Sequence, residues 1–320
     1  MQIALDLDDA SSAVDKQLFC VEIMQPNPSP KPLNSNVNDA SLTSTGRVRA
    51  VQHPVDVLIF HPLAARLAKA LSHTPITPNM VSFAGGLAVV LAAIIYVHEN
   101  WAFSVALGFL VHASWHVLDG ADGDLARLTG KSSPQGEVFD GICDYAGHIA
   151  LYLILAWALS QSMGWLGWVL GVGSGLSRIP QTIFYESQRR QYMQWVHGIP
   201  WLRTSTSQEK AADASGLSTT YLKAAGILAP SAPAIERALA DPNKAEAMRT
   251  RLVATGPEKL FGSTLLGQPY RTLALGASML TGSPVWYFLF EIIVLHVVLA
   301  FSIFRARRTL TELSIQVDVR

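Results

Sequence analysis

The sequence is poor in charged residues and in cysteine. Of its 320 residues 15% are charged and 50% are hydrophobic, whereas a soluble domain usually has about a quarter charged residues. The formal net charge is zero, so there is no basic excess of the kind that binds nucleic acid. The two cysteines, Cys20 and Cys143, lie in very different surroundings, which argues against a disulfide framework. This composition favours an integral membrane protein that does not bind nucleic acid.

Four aspartates lie between two of the most apolar segments: Asp119, Asp122, Asp140 and Asp144. An ionised Asp well inside a bilayer costs ~2.5–3.5 kcal/mol on insertion scales, so these side chains should be paired, metal-bound or hydrated. Asp119 and Asp122 are three residues apart and Asp140 and Asp144 are four apart, which places each pair on one face of a helix. Two such helices facing each other would converge four carboxylates on one point. That donor set suits Mg²⁺, Mn²⁺ or Ca²⁺ and not zinc.

The residues around these aspartates suit a phosphate-containing substrate. Gly123, Ala126 and Gly136 are small, and a larger side chain at these positions would keep a ligand away from the helices. Arg127 offers a planar fork of donors for phosphate oxygens. Metal and phosphate chemistry are therefore expected at one site.

The spacing of these residues resembles the signature of a known family. Asp119-x-x-Asp122-Gly123-x-x-Ala126-Arg127, eight residues, then Gly136-x-x-x-Asp140-x-x-x-Asp144 matches the class I CDP-alcohol phosphotransferases without a departure. The resemblance implies an integral membrane transferase of phospholipid biosynthesis. Such an enzyme moves a substituted phosphate, most simply phosphatidyl from CDP-diacylglycerol, to a hydroxyl of a polyol or polyol phosphate of the inositol phosphate or glycerol phosphate type, and releases CMP.

The resemblance also implies roles for individual residues. All four aspartates would hold two divalent ions, Mg²⁺ or Mn²⁺, and Asp144 would in addition remove the proton of the acceptor hydroxyl. Arg127 would hold a donor phosphate, and the positions at 123, 126 and 136 would make room for the nucleotide. Asn79, Ser82 and Ser133 would contact the CDP end, although Asn79 and Ser82 could instead satisfy helix-end backbone groups. Members of this family are commonly homodimers.

The expected fold is all-α: a polytopic six-transmembrane helix bundle with an N-terminal interfacial amphipathic helix. Residues 1–50 are expected to be a disordered tail, and 54–72 the amphipathic helix. The membrane domain spans 54–304, with a cytoplasmic helical insert at about 200–260, and 305–320 form a cytoplasmic tail. The expected spans are 79–97, 101–118, 137–159, 163–184, 265–280 and 284–304. In the fourth, Gly167, Gly171 and Gly175 form a small-residue ridge for close helix packing.

Loop charges indicate the orientation. The turns at 98–101, 161–165 and 281–284 contain no Lys or Arg, whereas the opposite helix ends are basic. This predicts a multi-pass protein of the cell (inner) membrane with its active site and both termini facing the cytoplasm. Two alternatives remain: a soluble CDP-alcohol donating to a lipid hydroxyl, and, more remotely, a divalent-cation transporter.

Several other polar residues fall in or near the spans. His112 and His116 are expected to be buried and hydrogen-bonded, and His148 is a candidate to orient Asp144 or to contact the acceptor. Glu291 and His296 are expected to join helices or copies of the chain. Three arginines suit an acceptor that carries its own phosphate, but positive-inside topology predicts them equally well: Arg178, Arg189 and Arg190.

Overall fold

The computed structural model describes residues 51–98, 101–198, 228 and 232–318, and every regular element within these ranges is helical. The predicted disordered tail 1–50 and the part of the predicted insert at 199–227 lie outside the described residues. The helices are α1 (His61–Leu71), α2 (Pro78–Tyr96), α3 (Trp101–Leu128), α4 (Pro134–Met163), α5 (Trp165–His197), α6 (Pro233–Ala240), α7 (Pro242–Thr255), α8 (Pro257–Phe261), α9 (Gln268–Met279), α10 (Val285–Leu289) and α11 (Leu295–Asp318).

Three of these helices begin with a capping side chain followed by proline. The Thr77 hydroxyl accepts a hydrogen bond from the Met80 N–H ahead of α2, and the Ser133 hydroxyl accepts one from Gly136 ahead of α4. Asp241 caps α7 in the same way. The proline that follows each cap has no N–H to satisfy and has φ suited to a helix, so these helix starts are fixed by local sequence.

Among the described residues, three helical segments are both long and apolar enough to cross a membrane: Pro78–Tyr96, Gln135–Met163 and Val285–Ile315. The last of these comprises α10, a π-helical turn and most of α11. The predicted fifth span, 265–280, is divided instead into a 3₁₀ turn at Thr264–Leu266 and the 12-residue α9. Twelve residues rise only about 18 Å, less than the ~30 Å hydrocarbon core. The all-helical class is confirmed, and the count of six spans is not.

Small residues let the central helices approach closely. A Cβ at Gly86 in α2 would lie 2.7 Å from the carbonyl oxygen of Cys143 in α4, and one at Gly147 would lie 2.8 Å from the carbonyl oxygen of Gly86. Between α4 and α5, a Cβ at Gly171 would lie 2.3 Å from the Cβ of Ala156. The predicted packing ridge of the fourth segment is thus confirmed at Gly171, because no larger side chain fits there.

The helix before α2 lies where it was predicted. A π-helical turn at Asp56–Phe60 leads into α1, whose buried Ala64 and Ala68 pack with Leu125 of α3. Leu58, 76% exposed, points away from this contact. Placement of this helix in a membrane interface stays a prediction.

The described part of the insert does not stand apart from the membrane domain. Ile235, Met248 and Leu252 of α6 and α7 share one apolar core with Trp195 at the end of α5 and Leu310 of α11. The described residues 232–260 are largely helical, as predicted, and they pack on the ends of two long helices.

Candidate functional site

The four aspartates of the signature meet where α3 ends and α4 begins. Helix α3 continues to Leu128, so Asp119 and Asp122 lie on its last turns and not in a loop. Across the helix pair, the carboxyl group of Asp122 lies close enough to that of Asp140 to interact with it, and the carboxyl group of Asp144 interacts with that of Asp119. The structure therefore brings all four residues together as two facing pairs.

Asp122 is held by a residue of α2. The Ser82 hydroxyl donates to Asp122 Oδ2 at 2.6 Å, and the Gly123 N–H donates to the other carboxylate oxygen. The Pro78 carbonyl oxygen lies 3.3 Å from the same hydroxyl and is its more distant acceptor. The stronger contact of this hydroxyl is with the signature aspartate, so Ser82 does more than satisfy a helix end.

Asp144 is held by a residue that the sequence did not single out. The indole N–H of Trp115, in α3, donates to Asp144 Oδ1 at 2.7 Å. His148 Nδ1 lies 2.8 Å from the backbone carbonyl oxygen of Asp144, so this histidine contacts the main chain and not the carboxylate. The sequence signal for Trp115 is weak, since its position one turn before Asp119 shows only that it shares a face with the site.

The donor set of the two pairs fits a hard cation. Facing carboxylates repel each other unless a proton or a cation lies between them, and all the donors are oxygens. Within the described ranges, however, no group of three or more acidic, histidine or cysteine side chains forms a metal site. Metal binding by these aspartates stays a prediction.

Arg127 lies at the edge of this site in a defined pose. Its guanidinium pairs with Asp124, whose side chain is only 2% exposed while that of Arg127 is 49% exposed. A Cβ at Gly123 would lie 3.5 Å from Arg127 Nη1, an ordinary contact distance, so the guanidinium lies beside Gly123. Ala126, half-buried, precedes Arg127 on the same helix. Sequence reasoning missed Asp124, which lies between signature positions and is distinguished only by its burial.

The predicted nucleotide contacts gather around Gly136. The Ser133 hydroxyl accepts from the Gly136 N–H at 3.0 Å, and a Cβ at Gly136 would lie 3.6 Å from Asn79 Oδ1. Asn79, at the start of α2, and Ser133, which precedes α4, thus lie on two sides of Gly136. The capping role of Ser133 is observed, and contact of either residue with a nucleotide stays a prediction.

The predicted basic patch is largely neutralised by one glutamate. Arg189 donates from Nε and Nη2 to the two carboxylate oxygens of Glu186, each at 2.9 Å. Arg190 donates from Nε to the same carboxylate at 2.7 Å. Burial alone would raise the pKa of Glu186, but the two arginines outweigh it and lower that pKa to about 2. Arg190 also lies 3.6 Å from Glu137, which ties α5 to the start of α4. Arg178, further along α5, lies 5.9 Å from the ring centre of Tyr152.

The remaining polar residues of the predicted spans divide into confirmed and corrected predictions. His116 Nε2 lies 2.9 Å from the Thr272 hydroxyl, as expected of a buried, hydrogen-bonded histidine. His112 is buried too, but neither of its ring nitrogens has a partner among the described residues, so that prediction was wrong in its second half. Its neighbours are aromatic rings, which pack against the imidazole without offering it acceptors.

Glu291 and His296 join helices, as predicted. Glu291 forms a buried ion pair with Arg271 of α9, and His296 Nδ1 lies 3.0 Å from the amide nitrogen of Gln181 in α5. The partner Arg271 was not predicted.

Comparison with known proteins agrees with this geometry. Residues 75–197 match the family model of CDP-alcohol phosphatidyltransferase, a segment that runs from the start of α2 to the end of α5 and contains both aspartate pairs. An uncharacterized CDP-alcohol phosphatidyltransferase class-I family protein 2 of Dictyostelium discoideum is 35% identical over 96 residues, which cover 27% of this chain and 23% of that protein.

A phosphatidylinositol phosphate synthase of Mycolicibacterium smegmatis is 33% identical over 97 residues, covering 30% of this chain and 41% of that protein. The chain thus matches less than half the length of either relative. Residues 75–197 are therefore similar to the CDP-alcohol phosphatidyltransferase family over the segment that contains the candidate site.

Proposed function

We propose that this protein transfers a phosphatidyl group from CDP-diacylglycerol to a hydroxyl of a polyol or polyol phosphate and releases CMP. The proposal rests on one observation: two pairs of carboxylates face each other across the helices, Asp122 with Asp140 and Asp119 with Asp144. Both pairs lie inside the segment matched to the family. Four acidic oxygen donors at one end of a helix pair suit the handling of a diphosphate.

The residues around the aspartates would hold the donor. Arg127 is half-exposed and kept in place by Asp124, so its guanidinium is available for a phosphate oxygen. Asn79 and Ser133 flank Gly136, where the absence of a side chain leaves space for the cytidine end. Two divalent ions, Mg²⁺ or Mn²⁺, bound by the four aspartates would neutralise the diphosphate and stabilise the leaving CMP.

Asp144 would act as the general base. The acceptor oxygen forms a bond to the phosphorus that carries the lipid, the bond from that phosphorus to the CMP oxygen breaks, and the acceptor proton passes to the Asp144 carboxylate. The indole N–H of Trp115 donates to Oδ1 of that carboxylate, and the Asp144 carboxyl group also interacts with Asp119. The base is thus positioned next to the other carboxylates.

A lipid donor is supported by the surroundings of the site. Helix α4, which carries Asp140 and Asp144, is itself a candidate membrane span with an outward apolar face that includes Ile142 and Ile149. The polyol phosphate acceptor is supported by the name of the M. smegmatis relative. The basic helix ends suggest that the reaction takes place at the cytoplasmic side of the cell membrane.

The test is CMP release by purified protein with Mg²⁺ or Mn²⁺. CDP-diacylglycerol is supplied with inositol, inositol phosphate or glycerol phosphate, and a parallel series pairs water-soluble CDP-alcohols with diacylglycerol. Release that depends on both CDP-diacylglycerol and one polyol acceptor is expected. Release only in the diacylglycerol series would reverse the donor and acceptor assignment, and no release in either series would contradict the proposal.

A further inference from the structure

One buried tryptophan contacts the proposed base directly. Trp115, 2% exposed, lies on α3 and donates its indole N–H across the helix pair to Asp144 Oδ1 at 2.7 Å. An indole N–H is a donor only, so it can orient a carboxylate but cannot take its proton or compete with it as a base.

The indole lies between the rings of two histidines and faces Gly85 of α2. The centre of its ring lies 4.6 Å from the ring centre of His116. It lies 4.7 Å from the ring centre of His148, in an edge-to-face arrangement. On the α2 side, a Cβ at Gly85 would lie 3.5 Å from the indole. His148 contacts the Asp144 backbone as well, so the same group of rings restrains both the main chain and the side chain of the base.

We infer that Trp115 is a positioning residue for Asp144: it occupies Oδ1 and thereby presents Oδ2 to the acceptor hydroxyl. An aspartate has two rotatable side-chain bonds, and a carboxylate free to turn would spend much of its time misdirected. Catalytic groups need placement within about 0.5 Å and 10–20°, which packing and a second hydrogen bond provide. This inference rests on the proposed function, in which Asp144 is the base.

Removing the N–H while keeping an aromatic side chain tests the role. We expect Trp115→Phe to lower kcat by about 10- to 100-fold, the usual cost of losing such an outer contact. The KM for CDP-diacylglycerol should stay unchanged, because Trp115 is buried and is not among the residues assigned to the donor. Trp157→Phe, on the exposed face of α4, is the matched control and should leave both constants unchanged. Benzothienylalanine in place of Trp115 keeps the shape of the indole and removes only the N–H, which tests the same point if the phenylalanine variant folds poorly.

A double-mutant cycle separates positioning from a general structural effect. If Trp115 acts through Asp144, adding Trp115→Phe to Asp144→Asn should leave the residual rate unchanged. An unchanged kcat in both the phenylalanine and the benzothienylalanine variant of Trp115 would overturn the inference. So would a reduction in kcat by Trp115→Phe that is as large in the Asp144→Asn background as in wild type. Wild-type activity in Asp144→Asn alone would instead contradict the proposed base. Failure of the proposed base and failure of the role of Trp115 would therefore be seen in different variants.

Discussion

The ion pair between Arg271 and Glu291 should be the most costly single contact in the membrane domain to break. Both side chains are almost fully enclosed, at 2% and 0% exposure. Arg271 also donates to Gln181 Oε1 at 2.8 Å and to the Leu266 carbonyl oxygen at 3.3 Å. The pair thus joins α9 to the π-helical turn before α11, and Gln181 extends it to α5.

The size of the effect follows from what each substitution leaves behind. Glu291→Leu strands a buried guanidinium, and Arg271→Met strands a buried carboxylate; removing one partner of a buried pair costs about 3–5 kcal/mol. Replacing both with apolar residues of similar size strands no charge, although Gln181 and Leu266 each lose a donor. We therefore expect the double variant to be less destabilised than the sum of the two single variants.

The measurement is the free energy of unfolding in mixed detergent micelles, followed by far-ultraviolet circular dichroism. Arg308 and Glu312 supply the matched control, because this pair on α11 is 72% and 58% exposed and should contribute less than about 1 kcal/mol. Single variants at Arg271 and Glu291 that each lose less than about 1 kcal/mol would refute the reasoning. So would losses that are simply additive in the double variant.

Two further predictions concern Ser82 and His53. Ser82→Ala removes the hydroxyl bonded to Asp122, so the Mg²⁺ concentration for half-maximal activity should rise by about tenfold while the rate at saturating metal stays near wild type; an unchanged metal requirement would contradict this. His53 lies outside the predicted spans, and burial, with smaller contributions from Arg189 and His61, lowers its pKa to about 4 from 6.5. Between the pKa of about 4 in the folded protein and 6.5 in the unfolded chain, the unfolded chain binds more protons than the folded protein does. When the pH falls from 7 to 5, wild type should therefore lose about 2 kcal/mol more of its free energy of unfolding than His53→Gln does. Equal losses in the two proteins would show that His53 is not the group responsible.

The shared helix face of Asp119 with Asp122, and of Asp140 with Asp144, was predictable because it depends on local spacing. Residues three or four apart share a helix face whatever the rest of the chain does, and both helices formed over the signature. The helix starts at Thr77 and Ser133 follow from capping side chains in the same way, since each cap contacts a backbone N–H three residues on.

Contacts between distant segments were not predictable from one sequence. The partner of Glu291 is 20 residues away and that of Trp115 is 29 residues away, and no local pattern relates them. The fifth span failed for a related reason. Average hydropathy over 265–280 ignores the turn at Gly267, where a 3₁₀ turn ends and α9 begins with a proline in its first turn.

The most direct test of the central claim is metal-dependent CMP formation by wild type and by Asp144→Asn. Asp241→Asn is the control, because Asn can keep the N-cap of α7 and the site is untouched. The account predicts that wild type and the control release CMP from CDP-diacylglycerol at equal rates when Mg²⁺ or Mn²⁺ and an acceptor are present, and that Asp144→Asn releases almost none. Equal release by Asp144→Asn, or release that is unaffected by chelation of the metal, would contradict it.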